Sequence, residues 1–177
     1  MAFITTNTLE MEKALYGDRL VQKALNESRE RQSHFYEATV FLSHKHDEED
    51  KLEGASALLK RSGAEVYIDH MDVNMPKITS AITARRLKEK IKTRDKFIFL
   101  ATGAAIRSKW CNWELGYGDA NKDDKNIALL IIEEYNDQWK GSEYLQLYPV
   151  IQEIEGEYLV IHPDGNYCYS LKDWLVI

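Results

Sequence analysis

The residues with the most to offer chemically lie in the stretch Ile106 to Asp119, IRSKWCNWELGYGD. Ser108 is a residue type that caps helices. In the helix it would start, four-residue spacing puts Trp110 and Glu114 on one face, with Tyr117 a turn further on. A carboxylate is then held one turn from a large flat ring, an arrangement suited to gripping ribose hydroxyls while a flat base stacks nearby. The same spacing also serves ordinary packing, because aromatic residues at helical intervals more often fill a core than line a site.

A second group of polar residues stands elsewhere. Ser43 ends an apolar run and is followed by His44, Lys45 and His46, and a later run ends at Asp69. Two alternating histidines with Asp69 or His70 have the donor types of a metal site. No third ligand stands at a diagnostic spacing, however, and loop histidines are ordinarily solvated polar residues, so no metal and no cofactor is expected. Ser43, His46 and Asp69 also have the residue types of a nucleophilic triad, but the G-x-S-x-G turn that would present the serine is absent. Neither G-x-x-x-x-G-K-[ST] nor G-x-G-x-x-G occurs, which leaves no phosphate-loop signal. A response-regulator receiver would need an acidic pair directly after the first strand, where this chain has Ser43-His44-Lys45.

The elements that must position these residues alternate in period. Residues 9–33 carry Leu9, Leu15, Leu20, Val21 and Leu25 among many charges, which predicts an amphipathic helix lying on the domain or between protomers. A membrane-surface helix would be richer in Lys and Arg on its polar face. ATVFLS, from Ala38, is short, apolar and β-rich, as a strand buried on both faces would be. KLEGASALLKRSG follows, with Leu52, Ala55, Leu58 and Leu59 as a helical stripe closed by Gly63. AEVYID reads as a second strand. The loop MDVNMPKITS leads into a basic helix, SAITARRLKEKIKTR, with Ile82, Leu87 and Ile91 as candidate core positions. KFIFLAT is a third strand, the helix carrying Glu114 comes next, and NIALLIIEEY is a fourth. The last 40 or so residues predict a fifth strand and edge elements around a PDG turn.

Strands alternating with helices imply right-handed crossovers and a mainly parallel sheet covered on both sides, an α/β domain. Ligands of such sheets bind beyond the carboxyl ends of the strands. Ser43, Asp69 and the loop from Ala101 to Ser108 all stand at such ends. If the first and third strands are neighbours, the helix bearing Glu114 starts beside Ser43, and one cleft collects these residues.

Composition narrows the function classes. The chain has 177 residues, enough for one well-buried core, with 23 basic and 29 acidic residues and a formal charge of −6. That balance argues against a general nucleic-acid binder, which needs a basic face. The two cysteines, Cys111 and Cys168, have no metal-ligand spacing and build no disulfide framework, which fits a reducing cytoplasm. The first residues, MAFITTNTLEMEKALYGD, lack a basic segment followed by an apolar run. No stretch approaches the ~18 apolar residues of a membrane span.

Three blocks, in order, carry a resemblance: FLSHKHDEED after the first strand, GAEVYID before a Pro-containing loop, and SKWCNWELGYGD after the third strand. Together they resemble a Toll/interleukin-1 receptor (TIR) domain of the bacterial kind. The likeness covers roughly residues 38 to 135, and its most specific part is W-x-x-x-E, here Trp110 to Glu114. The resemblance implies a flavodoxin-like five-stranded parallel sheet flanked by helices over residues 36–177, after an N-terminal helical extension at 1–35. It places 74-NMPKITS-80 where the family has its BB loop.

In enzymatic members of that family the glutamate of the pattern cleaves NAD+ at the nicotinamide–ribose bond, so the resemblance implies that role for Glu114, with NAD+ as substrate. It implies that Trp110 shapes the pocket and stacks, that Ser43 and the loop with His46 line the phosphate or ribose side, that Asp69 lies at the rim, and that Tyr117 is a further candidate on the same helix. Implied partners are a second copy of the chain in a TIR–TIR assembly and a separate effector that responds to the product. The chain reads as a near-minimal TIR domain with no recognisable sensor or effector module. Similar proteins act in antiphage defence, which favours synthesis of a cyclic ADP-ribose isomer or related signal over bulk NAD+ hydrolysis. The competing class is a non-catalytic TIR interaction module, which would tolerate loss of the glutamate.

Overall fold

The computed structural model describes residues 3–27, 38–69, 80–133 and 143–177. A two-residue strand β1 (Ile4–Thr5) leads into α1 (Thr6–Glu27), followed by β2 (Ala38–Ser43), α2 (Glu49–Arg61) and β3 (Ala64–Tyr67). Next come α3 (Ala81–Thr93), β4 (Lys96–Ala101), α4 (Gly103–Arg107), α5 (Lys109–Asp119) and β5 (Ile127–Glu133). The chain closes with β6 (Val150–Ile154), β7 (Glu157–Ile161), β8 (Cys168–Ser170) and α6 (Leu171–Val176). Among these helices none is long and apolar enough to cross a membrane.

Strand order is β3-β2-β4-β5-β6-β7-β8, and the first five of these run parallel. β7 and β8 add antiparallel edges, the last turn reversing at Gly165 with φ +70. β1 pairs in parallel with Ile132 and Glu133 of β5, beyond the residues that pair with β6. A strand of two residues leaves no period in a sequence, which is why it was not foreseen.

The apolar runs are continuous because both sheet faces are buried. Val40, Leu42, Ile98, Leu100, Ala128 and Leu130 point to one side, where α1, α2 and α6 cover them. Phe41, Phe97, Phe99, Ala101, Ile127 and Leu129 point to the other, under α3, α4 and α5. Trp174 of α6, fully buried, donates its indole N–H to the Lys125 carbonyl at 2.8 Å. Gly63, at φ +106, follows the end of α2 as expected of a residue that must leave the helix in the left-handed region.

Two core expectations change. Ile82 is 59% exposed, and the inward row of α3 is Thr83, Leu87 and Ile91 instead. The phase is set at the start of the helix, where the Ser80 hydroxyl accepts from the Thr83 N–H at 3.2 Å. On α1, Leu9 is buried and Leu15 is exposed, with Glu12 buried between them; the side chains of Leu20, Val21 and Leu25 lie outside the described residues.

The first turns of α1 are seated on α2 at Gly54. A Cβ on Gly54 would stand 2.5 Å from the Leu9 Cβ and 2.6 Å from the Leu9 carbonyl oxygen, so backbone as well as side chain would have to move. Gly54→Ala is therefore expected to lose ~1–3 kcal/mol, the cost of overpacking, despite alanine's better helix propensity. Urea unfolding monitored by circular dichroism checks this; an unchanged or higher midpoint would mean that α1 is not held at this crossing.

Candidate active site

Two helix starts in quick succession bring α5 to the sheet. Thr102, directly after β4, accepts from the Ala105 N–H at 3.0 Å and begins α4; Ser108 accepts from the Cys111 N–H at 3.3 Å and begins α5. The Asn112 amide donates to the carbonyls of Ile106 and Ser108, both at 2.8 Å, and stitches the corner between the helices. With its start fixed this way, α5 turns Cys111, Glu114, Leu115 and Gly118 inward. Gly118 lies against the Phe97 ring, which a Cβ would approach at 3.1 Å.

β2 and β4 are neighbours, with Ser43 opposite Phe99, so the inward face of α5 meets the end of β2. The Ser43 hydroxyl donates to Glu114 Oε2 at 2.5 Å. Glu114 is 3% exposed, and burial pushes its carboxyl up to about 8. The nearby Asp69 charge pushes in the same direction, while hydrogen bonds from Ser43 and Trp110 oppose the rise by favouring the carboxylate. A buried carboxyl with a shifted proton affinity at the carboxyl ends of parallel strands is where α/β enzymes keep their reactive groups.

Asp69, just past β3, faces both histidines that follow β2. His44 Nε2 is 3.7 Å from Asp69 Oδ1, and His46 Nε2 is 3.7 Å from Oδ2. The His44 ring is buried, with Nδ1 3.1 Å from the Leu42 carbonyl, and the two imidazole centroids are 5.6 Å apart. The sequence pattern put Ser43, His46, Asp69, Trp110 and Glu114 at one end of the sheet, and that is where they stand. A serine–histidine relay is not formed, since the Ser43 hydroxyl is turned to Glu114.

Tyr117 belongs to a different feature. Trp110 stacks on Trp113 at 4.8 Å, and Trp113 on Tyr117 at 6.0 Å, so Tyr117 lies two rings away from Trp110. The Lys88 ammonium of α3 sits 5.7 Å from the Trp113 ring and 5.2 Å from the Tyr117 ring. This end of the ladder faces α3. Residues 74–79 of the stretch expected to form the BB loop lie outside the described residues; Ser80 is the cap of α3.

Two supports of the site were not expected from sequence. Glu48 accepts from the Thr102 hydroxyl at 2.5 Å and from the Lys51 ammonium at 2.8 Å, tying the loop after β2 to the end of β4. The loop reaches that position through Asp47 at φ +75, a conformation that aspartate tolerates better than most side chains. Cys111 lies beneath the histidine loop, its thiol donating to the His44 carbonyl at 3.2 Å. Burial pushes that thiol up to about 11. Native protein should accordingly show one fast-reacting thiol, the exposed Cys168, and a second only on unfolding. Titration with a disulfide reagent before and after denaturant checks the count, and rapid labelling of both thiols would contradict this packing.

The profile of the TIR domain family matches residues 40–155, from within β2 to just beyond β6. A curated relative is named probable 3′ cyclic ADP-D-ribose synthase ThsB′, from Bacillus cereus (strain MSX-D12). It is 28% identical over 144 residues, which cover 77% of this chain and 74% of the relative. The match takes in the parallel strands, the histidine loop and the helix that carries Glu114, and this chain therefore belongs to the TIR domain family.

Proposed function

We propose that this protein cleaves the nicotinamide–ribose bond of NAD+ and closes the remaining ADP-ribose on itself to a cyclic isomer, a nucleotide signal in antiphage defence. The observation that carries the proposal is the Glu114 carboxyl, buried at the strand ends and held by Ser43 and Trp110. The name of the Bacillus cereus relative supports cyclisation over hydrolysis.

The chemistry asks for one carboxylate. When the bond between the anomeric carbon and the nicotinamide nitrogen breaks, its electron pair goes to the nitrogen, and the cationic ring departs neutral. No general acid is required. Positive charge moves onto the ribose, as it does in glycoside hydrolysis. Ionised Glu114 stabilises that charge and hydrogen-bonds the ribose hydroxyls, and preorganisation by Ser43 and Trp110 spares the cost of orienting it during reaction. Trp110 shapes the pocket, while Ser43 and His46 line the ribose and phosphate side, with Asp69 at the rim.

A hydroxyl or adenine nitrogen of the same molecule then bonds the anomeric carbon, and where a hydroxyl attacks, its proton is lost to the carboxylate or to water. If water attacks first, the product is ADP-ribose. Assembly of several copies would exclude water and complete the pocket, so the specific activity is expected to rise with protein concentration.

Liquid chromatography with mass spectrometry of a reaction with NAD+ tests the reading. The expected products are nicotinamide and a species one water lighter than ADP-ribose. ADP-ribose alone would overturn cyclisation and leave a hydrolase.

A further inference from the structure

The polar cluster beyond Glu114 has a geometry of its own. We propose that His44, His46 and Asp69 bind one divalent transition-metal ion through the two Nε2 atoms and the aspartate carboxylate. The three come from the ends of two adjacent parallel strands, His44 and His46 from the segment after β2 and Asp69 from the segment after β3. One donor atom from each lies within 4.8 Å of the others, and each Nε2 addresses a different oxygen of Asp69 at 3.7 Å.

That separation is longer than a closed N–H···O bond, about 2.7–3.2 Å. It is close to the ~3.4 Å edge of a tetrahedron built on metal–ligand bonds of about 2.1 Å. The two histidine–carboxylate edges would close by a few tenths of an ångström, and the widest edge of the set, up to 4.8 Å, by roughly 1.4 Å. The His46 side chain, 52% exposed, is placed to supply that movement by rotation.

The surroundings of His44 match those of a metal-bound imidazole. A carbonyl oxygen can only accept, so the contact between Nδ1 and the Leu42 carbonyl at 3.1 Å puts the proton on Nδ1 and turns Nε2 toward Asp69. Histidine ligands are commonly oriented by such a bond from the opposite ring nitrogen. His44 is 5% exposed, and its backbone is further fixed by the Cys111 thiol on its carbonyl. Two imidazoles and one carboxylate suit zinc, nickel or cobalt, whereas magnesium and calcium prefer oxygen ligands throughout. Three protein ligands leave one position open. An anionic oxygen such as a substrate phosphate would fill that position. The donor types, two alternating histidines with Asp69, already stand in the sequence, and the register of β2 and β3 brings them together.

Cobalt is the probe. Untagged protein, stripped with chelator and dialysed, is titrated with Co2+ in the absence of any nucleotide, so the result stands whether or not the protein cleaves NAD+. The expected result is visible d–d absorption that saturates at one equivalent, is displaced by Zn2+, and loses at least tenfold in affinity in His46→Ala and Asp69→Asn. A variant counts only if it keeps the wild-type circular dichroism spectrum, and one folded variant suffices for the test. The proposal is overturned if wild type binds neither ion, if affinity is unchanged in a folded variant, or if thiolate-to-cobalt charge-transfer bands show that Cys168 holds the ion.

Discussion

Glu114→Gln is expected to abolish NAD+ turnover while making the fold more stable. The loss should be at least ~10²–10³-fold in kcat, the range found when one preorganised group facing transition-state charge is removed. Glutamine keeps the shape and can accept the Ser43 hydrogen bond, but it cannot offset positive charge on the ribose. The gain in stability follows from linkage. Glu114 has its proton affinity raised from 4.5 to about 8 by folding. Across that window the folded state holds a proton that the unfolded state has released, so the stability contributed by the protonated buried acid is present at low pH and lost as pH rises to 8. Glutamine carries no such penalty. The difference in Tm between variant and wild type should therefore widen from pH 5 to pH 9, by roughly 5–10 °C for a chain of this size. A gap that stays constant with pH, or closes, would mean that the carboxyl is not buried as described.

The second large effect is the pH profile of the reaction itself. In the proposed mechanism ionised Glu114 is the working form, and the free protein reaches it only as pH rises through about 8. kcat/KM, which reports ionisations of the free enzyme, should climb about tenfold per pH unit below 8 and level off above it. Between pH 6 and the plateau the expected change is about 100-fold. NAD+ bound in the proposed way would place its cationic nicotinamide beside the carboxyl and favour the charged form, so the inflection in kcat should lie at lower pH. Ser43→Ala removes a hydrogen bond that favours the carboxylate, and it should move the kcat/KM inflection upward. A flat profile, or one falling through pH 8, would assign the reaction to the protonated acid or to another group.

Much of this site could be read before any coordinates, and the reasons are local. β2, β4 and β5 are apolar on both faces, which marks a covered parallel sheet, and that topology alone brings Ser43 to the helix bearing Glu114. Trp110 and Glu114 stand one turn apart on α5, where the indole favours the Glu114 carboxylate. What stayed hidden depends on phase and register. The Ser80 cap selects Thr83 over Ile82 for the core, and the Asn112 bonds set how far α5 is turned. Tyr117 was placed with the site by periodicity, yet its neighbours are Trp113 and Lys88. The Glu48–Thr102 clamp joins residues 54 positions apart and leaves no local trace. The use of Gly54, admitting Leu9 of α1, shows only in the crossing of the two helices.

The most direct test of the account follows nicotinamide release from NAD+ at pH 8.5 over a wide series of protein concentrations. One nicotinamide is expected for each NAD+ consumed, at a rate per molecule that increases with concentration. No release at any concentration, or consumption of NAD+ to nicotinamide mononucleotide and AMP by cleavage of the diphosphate, would contradict it.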